Sequence, residues 1–157
     1  MKNEMNRAMQ AIHYQKLMVM AVLSFVCMYV LMYAMVNTFS NVLPNINQFY
    51  MAGLMTMPMI IIEIALMGSI YTQKKTNAII IGISSIALIA FFISIKEQSA
   101  VSDKQLLKSM IPHHAGAILM CGNANISDRE IKKLCENILS SQQQEIDQMK
   151  AKLKELE

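Results

Sequence analysis

Hydrophobic and polar positions divide this chain sharply. Uncharged apolar residues fill Leu17–Val36, and two further apolar runs cover Phe49–Tyr71 and Ala78–Ile95. Each falls within the roughly 17–25 residues that cross a bilayer as a helix. The first run exceeds the h-region of a signal peptide, and no small-residue cleavage site follows it. It therefore reads as a transmembrane helix. Pro58 is expected to kink the second helix, which also carries Glu63. Asn37–Gln48, uncharged and rich in asparagine, reads as a loop, and residues 72–77 as a polar turn.

Beyond Lys96 the pattern becomes amphipathic. Ser102 with Gln105 has the spacing of a capping box and opens a helix through about Cys121, with Pro112 expected to bend it. Gly122–Asn125 reads as a turn. Ser127 with Glu130 forms a second capping box, after which Ile131, Leu134, Ile138, Ile146, Met149 and Leu153 recur at helical spacing. The fold class expected is all-α, with three transmembrane helices followed by a small helical hairpin. Its parts are an N-terminal segment 1–16, a membrane region 17–95 (about 17–36, 49–71 and 78–95) and a hairpin 96–157. So short a hairpin has little core, and is expected to lean on the membrane region, a second copy or a bound metal. Within 1–16, Met5, Met9 and His13 fall on one helical face. This is either an amphipathic lead-in or a metal ladder.

Charge orients the helices. Lys2, Arg7 and Lys16 precede the first run, Lys74 and Lys75 follow the second, and the loop between carries neither Lys nor Arg. By the positive-inside rule, the N-terminus and second loop are expected in the cytoplasm, and the first loop and hairpin outside it. The net charge of +3 is small and dispersed, which argues against nucleic-acid binding. Methionine is the unusual residue, at 16 of 157, and three cysteines make no disulfide framework.

The candidate chemistry is concentrated in Met110-Ile111-Pro112-His113-His114, continued by Ala117, Met120 and Cys121. Cys135, Ile138, Gln142, Glu145 and Met149 share one face of the following helix. Folding the two helices antiparallel sets Met110 against Met149, His114 against Glu145 and Ala117 against Gln142, with Cys121 near Cys135 or Ile138. Two thioethers, two imidazoles and a carboxylate then converge. Thioether sulfur selects Cu(I) or Ag(I) over hard cations, and Gln142 or Glu145 could orient a histidine. Zinc on His and Cys is the alternative, and it leaves the methionines without a purpose. Cys121 and Cys135 either close a disulfide or add thiolate ligands.

The methionines of the membrane runs form a second pattern. Met28, Met32 and Met35 share a face in the first, while Met51, Met55, Met59, Glu63 and Met67 step by four along the second. The third run has no methionine at all. This reads either as flexible packing around a buried carboxyl, or as a Cu(I)-handling path through Met28, Met32, Met51, Met55, Met59 and Glu63.

The segment Met110–Ala117, followed by Met120, Gln142, Glu145-Ile146 and Met149, resembles the bacterial domain-of-unknown-function 305 family. That family's helical domains are ferritin-like and include periplasmic copper-binding proteins. Asn47–Met55 with Pro58-Met59 and Glu63 is similar to its membrane-anchored branch. The resemblance implies Met110, His113, His114, Met120 and Met149 as copper ligands and a half-bundle that oligomerisation completes. It also implies the bacterial inner membrane, with the hairpin in the periplasm. Positions 121 and 135 are alanine-like in that family and cysteine here, which supports their proximity.

The expectation is a non-enzymatic copper-binding membrane protein for heavy-metal tolerance or delivery. Its partners would be lipid, copies of itself or a copper-handling membrane protein. An oligomeric methionine-rich transport component is the alternative, as is a structural adaptor that docks a partner. An enzyme, with His113 or His114 as base and Glu145 as its orienter, is disfavoured because no nucleophile, phosphate loop or substrate cleft accompanies them.

Overall fold

The computed structural model describes residues 2–156. Those residues form five α-helices: α1 (Lys2–Leu31), α2 (Ile46–Leu66), α3 (Lys74–Lys96), α4 (Asp103–Asn123) and α5 (Arg129–Glu155). Two short 3-10 turns, Met32–Met35 and Phe39–Asn41, lie between α1 and α2, and no strand occurs among the described residues. The chain is all-α, and three of its helices are long and apolar enough to cross a membrane.

Several boundaries differ from the pattern-based expectation. Residues 2–16 are helical, and α1 runs from them into the first apolar run without a break. It stops at Leu31 rather than Val36, where the backbone tightens into 3-10 geometry and Tyr33 Oη donates to the Leu43 carbonyl. α2 opens three residues earlier than its apolar run, since Asn45 Oδ1 accepts from Gln48 N in the manner of an N-cap. It ends at Leu66 instead of Tyr71, two residues short of Gly68. The polar residues Lys74–Asn77 form the first turn of α3. The helix α4 has the expected Ser102 cap, whose side chain accepts from Gln105 N, and it continues unbroken through Pro112. Gly122 and Asn123 close α4 instead of forming the turn. Asp128, not Ser127, caps α5, with one carboxylate oxygen accepting from both Glu130 N and Ile131 N.

The described chain divides into two compact units. The first combines the chain through Leu31 with Phe49–Ser99 and holds most of the apolar helices. Its core is Leu17, Ile60, Ile64 and Tyr71. The buried face of α2 is built from small residues (Ala52, Gly53, Thr56) followed by Ile60 and Ile64. Small side chains let helices approach closely where hydrocarbon offers no hydrophobic drive. Gly53 lies directly against the Phe91 ring of α3, with no room for a Cβ. Thr56 Oγ1 donates to the Ala52 carbonyl at 2.7 Å, which satisfies its hydroxyl inside the helix.

The second unit combines Met32–Gln48 with the chain from Ala100 onward. The helices α4 and α5 pack antiparallel about Ile111, Ala115, Ile146 and Leu153. The asparagine-rich loop supports the pair. Val36 and Leu43 pack on its core, Ile46 N donates to Gln105 Oε1, and Ser109 Oγ meets Asn45 Oδ1 at 3.2 Å. The helix α4 meets that loop at Gly116, where a Cβ would stand in ordinary contact, 3.6 Å from the Met35 carbonyl oxygen. The hairpin therefore leans on a segment of its own chain some 60 residues upstream.

Candidate metal centre

The helix α4 carries two parallel seams, each spaced alternately four and three residues apart. One contains Leu107, Ile111, His114, Ile118 and Cys121, and the other Leu106, Met110, His113, Ala117 and Met120. Such spacing keeps one stripe against a neighbouring helix along its whole length. The first seam faces α5, whose own stripe is Cys135, Leu139, Gln142, Ile146, Met149 and Leu153. Adjacent histidines thus fall into different seams, one in each.

His114 is 9% exposed and belongs to the inner seam. Its Nδ1 lies 3.0 Å from Glu145 Oε2 on α5, the pair set opposite by the register expected from the sequence. The contact has the distance of an ion pair without the angle of a hydrogen bond, so buried Nδ1 has no hydrogen-bond partner. His113 is exposed, and the two imidazole centroids stand 6.1 Å apart with their planes 59° from parallel. Met149 is half-buried and packs on the Ile111–Ile146 core. Met110 and Gln142 are also half-buried. Met120 is 53% exposed.

Cys121 and Cys135 form a disulfide that staples the turn end of the hairpin, with Cα atoms 5.2 Å apart. Of the two readings open in the sequence, the structure adopts the covalent one, and neither sulfur is then a thiolate. Among the described residues, no group of three or more His, Cys, Asp or Glu side chains has a metal-holding arrangement.

Of the methionine stripes in the apolar helices, Met51, Met55, Met59 and Glu63 all lie in α2 at their step of four. Met32 lies in a 3-10 turn outside α1, which breaks its helical step from Met28. Met51 and Met55 are 38% and 45% exposed, while Met59 is half-buried. Met28 Sδ accepts a long hydrogen bond from Thr56 Oγ1, at 3.8 Å. Of the proposed lead-in ladder, Met5 and Met9 are 62% and 50% exposed and His13 is half-buried.

Glu63 does have a partner within its unit. Tyr71 Oη donates to Glu63 Oε1 at 3.3 Å, and Tyr71 is itself buried against Tyr14, with ring centroids 5.4 Å apart. Burial, then the nearby Glu63 carboxylate, raises the Tyr71 phenol above its ordinary pKa. Tyr14 Oη donates to Asn77 Oδ1 at 2.6 Å, and Asn77 Nδ2 donates to the Tyr71 carbonyl. Gln10 completes this latch, its amide donating to the Ile70 carbonyl and accepting from Thr72 N. Sequence reasoning missed it. The signal was the placement of Gln10 and Tyr14 one helical turn apart at the mouth of α1.

Three helices long and apolar enough to cross a membrane, joined to a disulfide-closed helix pair, define a class of all-α proteins. Within that class, this chain belongs to the family described as "Domain of unknown function (DUF305)", whose match covers residues 94–153. It is also similar to an uncharacterized protein of Acanthamoeba polyphaga mimivirus, 37% identical over 142 residues. That likeness spans 88% of this chain and 91% of the relative, so it reaches well past the hairpin into the apolar helices. No solved structure matches the chain.

Proposed function

We propose that this protein is a membrane-anchored, non-enzymatic metal-binding protein. Its α4–α5 pair would take Cu(I) or Ag(I), for tolerance or for delivery to a partner. The observation that carries this reading is buried His114, held 3.0 Å from the Glu145 carboxylate on α5. A carboxylate beside one ring nitrogen is the usual support of a metal-binding imidazole, fixing the ring and raising its basicity. The donor chemistry fits a soft monovalent ion, because the sulfurs available to it are thioethers and the thiols are joined to each other. Zinc fits less well, since only two histidines are present on the hairpin and no thiolate.

The setting proposed is the bacterial inner membrane, with the N-terminus cytoplasmic and the hairpin outside. Lys2, Arg7, Lys16, Lys74 and Lys75 support that orientation. The Cys121–Cys135 disulfide supports an oxidising compartment for the hairpin. A transport path within the membrane receives less support, because Met51 and Met55 are exposed and Glu63 is engaged by Tyr71.

The test is a Cu(I) titration of the full chain in detergent against a chromogenic chelator. Replacing both His113 and His114 by alanine abolishes chelator-resistant binding on this reading. Glu145→Ala, which keeps every proposed ligand, weakens it by about 10- to 100-fold. Unchanged affinity in the double-histidine variant shows the assignment to be wrong.

A further inference from the structure

We propose that the metal centre is shared between two copies of this chain, which pair through the outer seam of α4 and bring their His113 side chains together. This rests on the Cu(I) reading above and assigns the residues that reading leaves unused. Three of the five sequence-predicted ligands, Met110, His113 and Met120, sit in the outer seam instead of between α4 and α5.

That seam has the spacing of a packed helix face, and much of it is exposed. Leu106, Met110, His113, Ala117 and Met120 keep the alternating four-three spacing of a packed helix, as regularly as the inner seam that α5 covers. Yet Leu106 is 47% and Met120 53% exposed, and His113 is exposed as well. The third side of α4, at Gly116, is taken by the supporting loop.

A second copy suits this surface better than an unrelated partner. No Lys, Arg, Asp or Glu occurs from Ser109 to Ser127, so two copies meet there without like-charge repulsion. The seam is also centred on His113, with two members on either side. Two copies aligned in parallel place His113 beside the partner's His113. Two copies running antiparallel about that residue do the same, and they set Met110 against the small Ala117 of the partner. Either way, a lone imidazole flanked by two thioethers becomes a pair of imidazoles flanked by four. One chain alone offers its outer seam a single histidine, and within one chain no cluster of three classical ligands exists among the described residues.

The test uses the full chain in detergent, with molar mass from light scattering and Cu(I) stoichiometry from chelator competition. Wild type is expected to be a dimer that holds one tightly bound Cu(I) per two chains. Ala117→Glu and Leu106→Glu, which remove no proposed ligand, should each give monomers with Cu(I) affinity lower by about 10- to 100-fold. Unaltered helix content and an intact Cys121–Cys135 bond report that these variants fold. Wild type that binds one Cu(I) per chain, with both variants unaffected, overturns the shared site and leaves the Cu(I) reading standing. Absence of Cu(I) binding by wild type overturns both. Cross-linking in membranes gives an independent check of the pairing. In a Cys27→Ser background, His113→Cys should be joined to its counterpart by a short bismaleimide, whereas Asp147→Cys, on the far face of α5, should not. Equal yields for the two refute the interface.

Discussion

The two compact units solve the same problem by opposite means. In the first, long apolar helices leave residues such as Val19, Leu23, Ile83 and Ile86 more than half exposed, and several polar side chains form a latch around Tyr71. In the second, apolar burial is confined to a short stripe, and a disulfide and a supporting loop supply the rest. Hydrocarbon solvates exposed apolar side chains without penalty, so helices there are held by close packing and by polar contacts that have nowhere else to go. Water penalises the same exposure, so the second unit must bury what it can and staple the remainder. The methionines follow this division. Met51 and Met55 are exposed in an apolar helix, whereas Met120 is exposed in the polar unit.

If the second unit depends on its short stripe, Ile146→Ala should cost it most. Ile146 is fully buried, and the cavity left behind is worth about 2–5 kcal/mol. Thermal unfolding followed by helix content, with the apolar helices as an internal reference, reads this directly. A shift no larger than that of an exposed control such as Lys132→Ala breaks the comparison.

The disulfide comes next. It closes a loop of sequence separation 14, for which the chain-entropy relation gives about 3 kcal/mol. Cys121→Ser with Cys135→Ser should lower the melting temperature of the second unit and leave the first unchanged. A reductant should reproduce the effect in wild type and do nothing further to the variant.

For the first unit, Gly53→Ala should cost about 1–3 kcal/mol, because the new methyl meets the Phe91 ring. Phe91→Ala in the same chain should return part of that loss. A neutral Gly53→Ala in detergent unfolding would mean that close packing of α2 on α3 is not what holds this unit.

The smallest effect concerns the latch. Tyr71 has its pKa raised in the folded protein, chiefly by burial and then by Glu63, so folding favours the neutral phenol. Stability from this source is complete below the ordinary tyrosine value near 10 and is lost as pH rises through the raised one. Tyr71→Phe should therefore flatten the alkaline limb of the unfolding midpoint above about pH 10.

Much of this was legible in the sequence. Apolar runs announced three helices because a run of that length has few other uses, and the Ser102–Gln105 box marked the start of α4. Equal-sum pairing placed His114 against Glu145 and Cys121 near Cys135, since two helices joined by a short turn have little freedom of register. Other features depended on contacts distant in sequence. The loop 37–48 looked unstructured because its partners, Gln105 and Ser109, lie some 60 residues away. Ser127 and Asp128 are both competent caps, and periodicity cannot choose between neighbours. Five ligand-capable residues on one broad face of α4 looked like one site; only burial separates the inner seam of His114 from the outer seam of His113.

X-ray absorption at the copper edge of the Cu(I)-loaded full chain tests the central claim most directly. A Met/His centre predicts a mixed shell of sulfur and imidazole nitrogen, with the sulfur contribution reduced in Met110→Leu and the imidazole contribution reduced in His113→Ala. A shell of light atoms alone, or a spectrum that neither substitution changes, would contradict it.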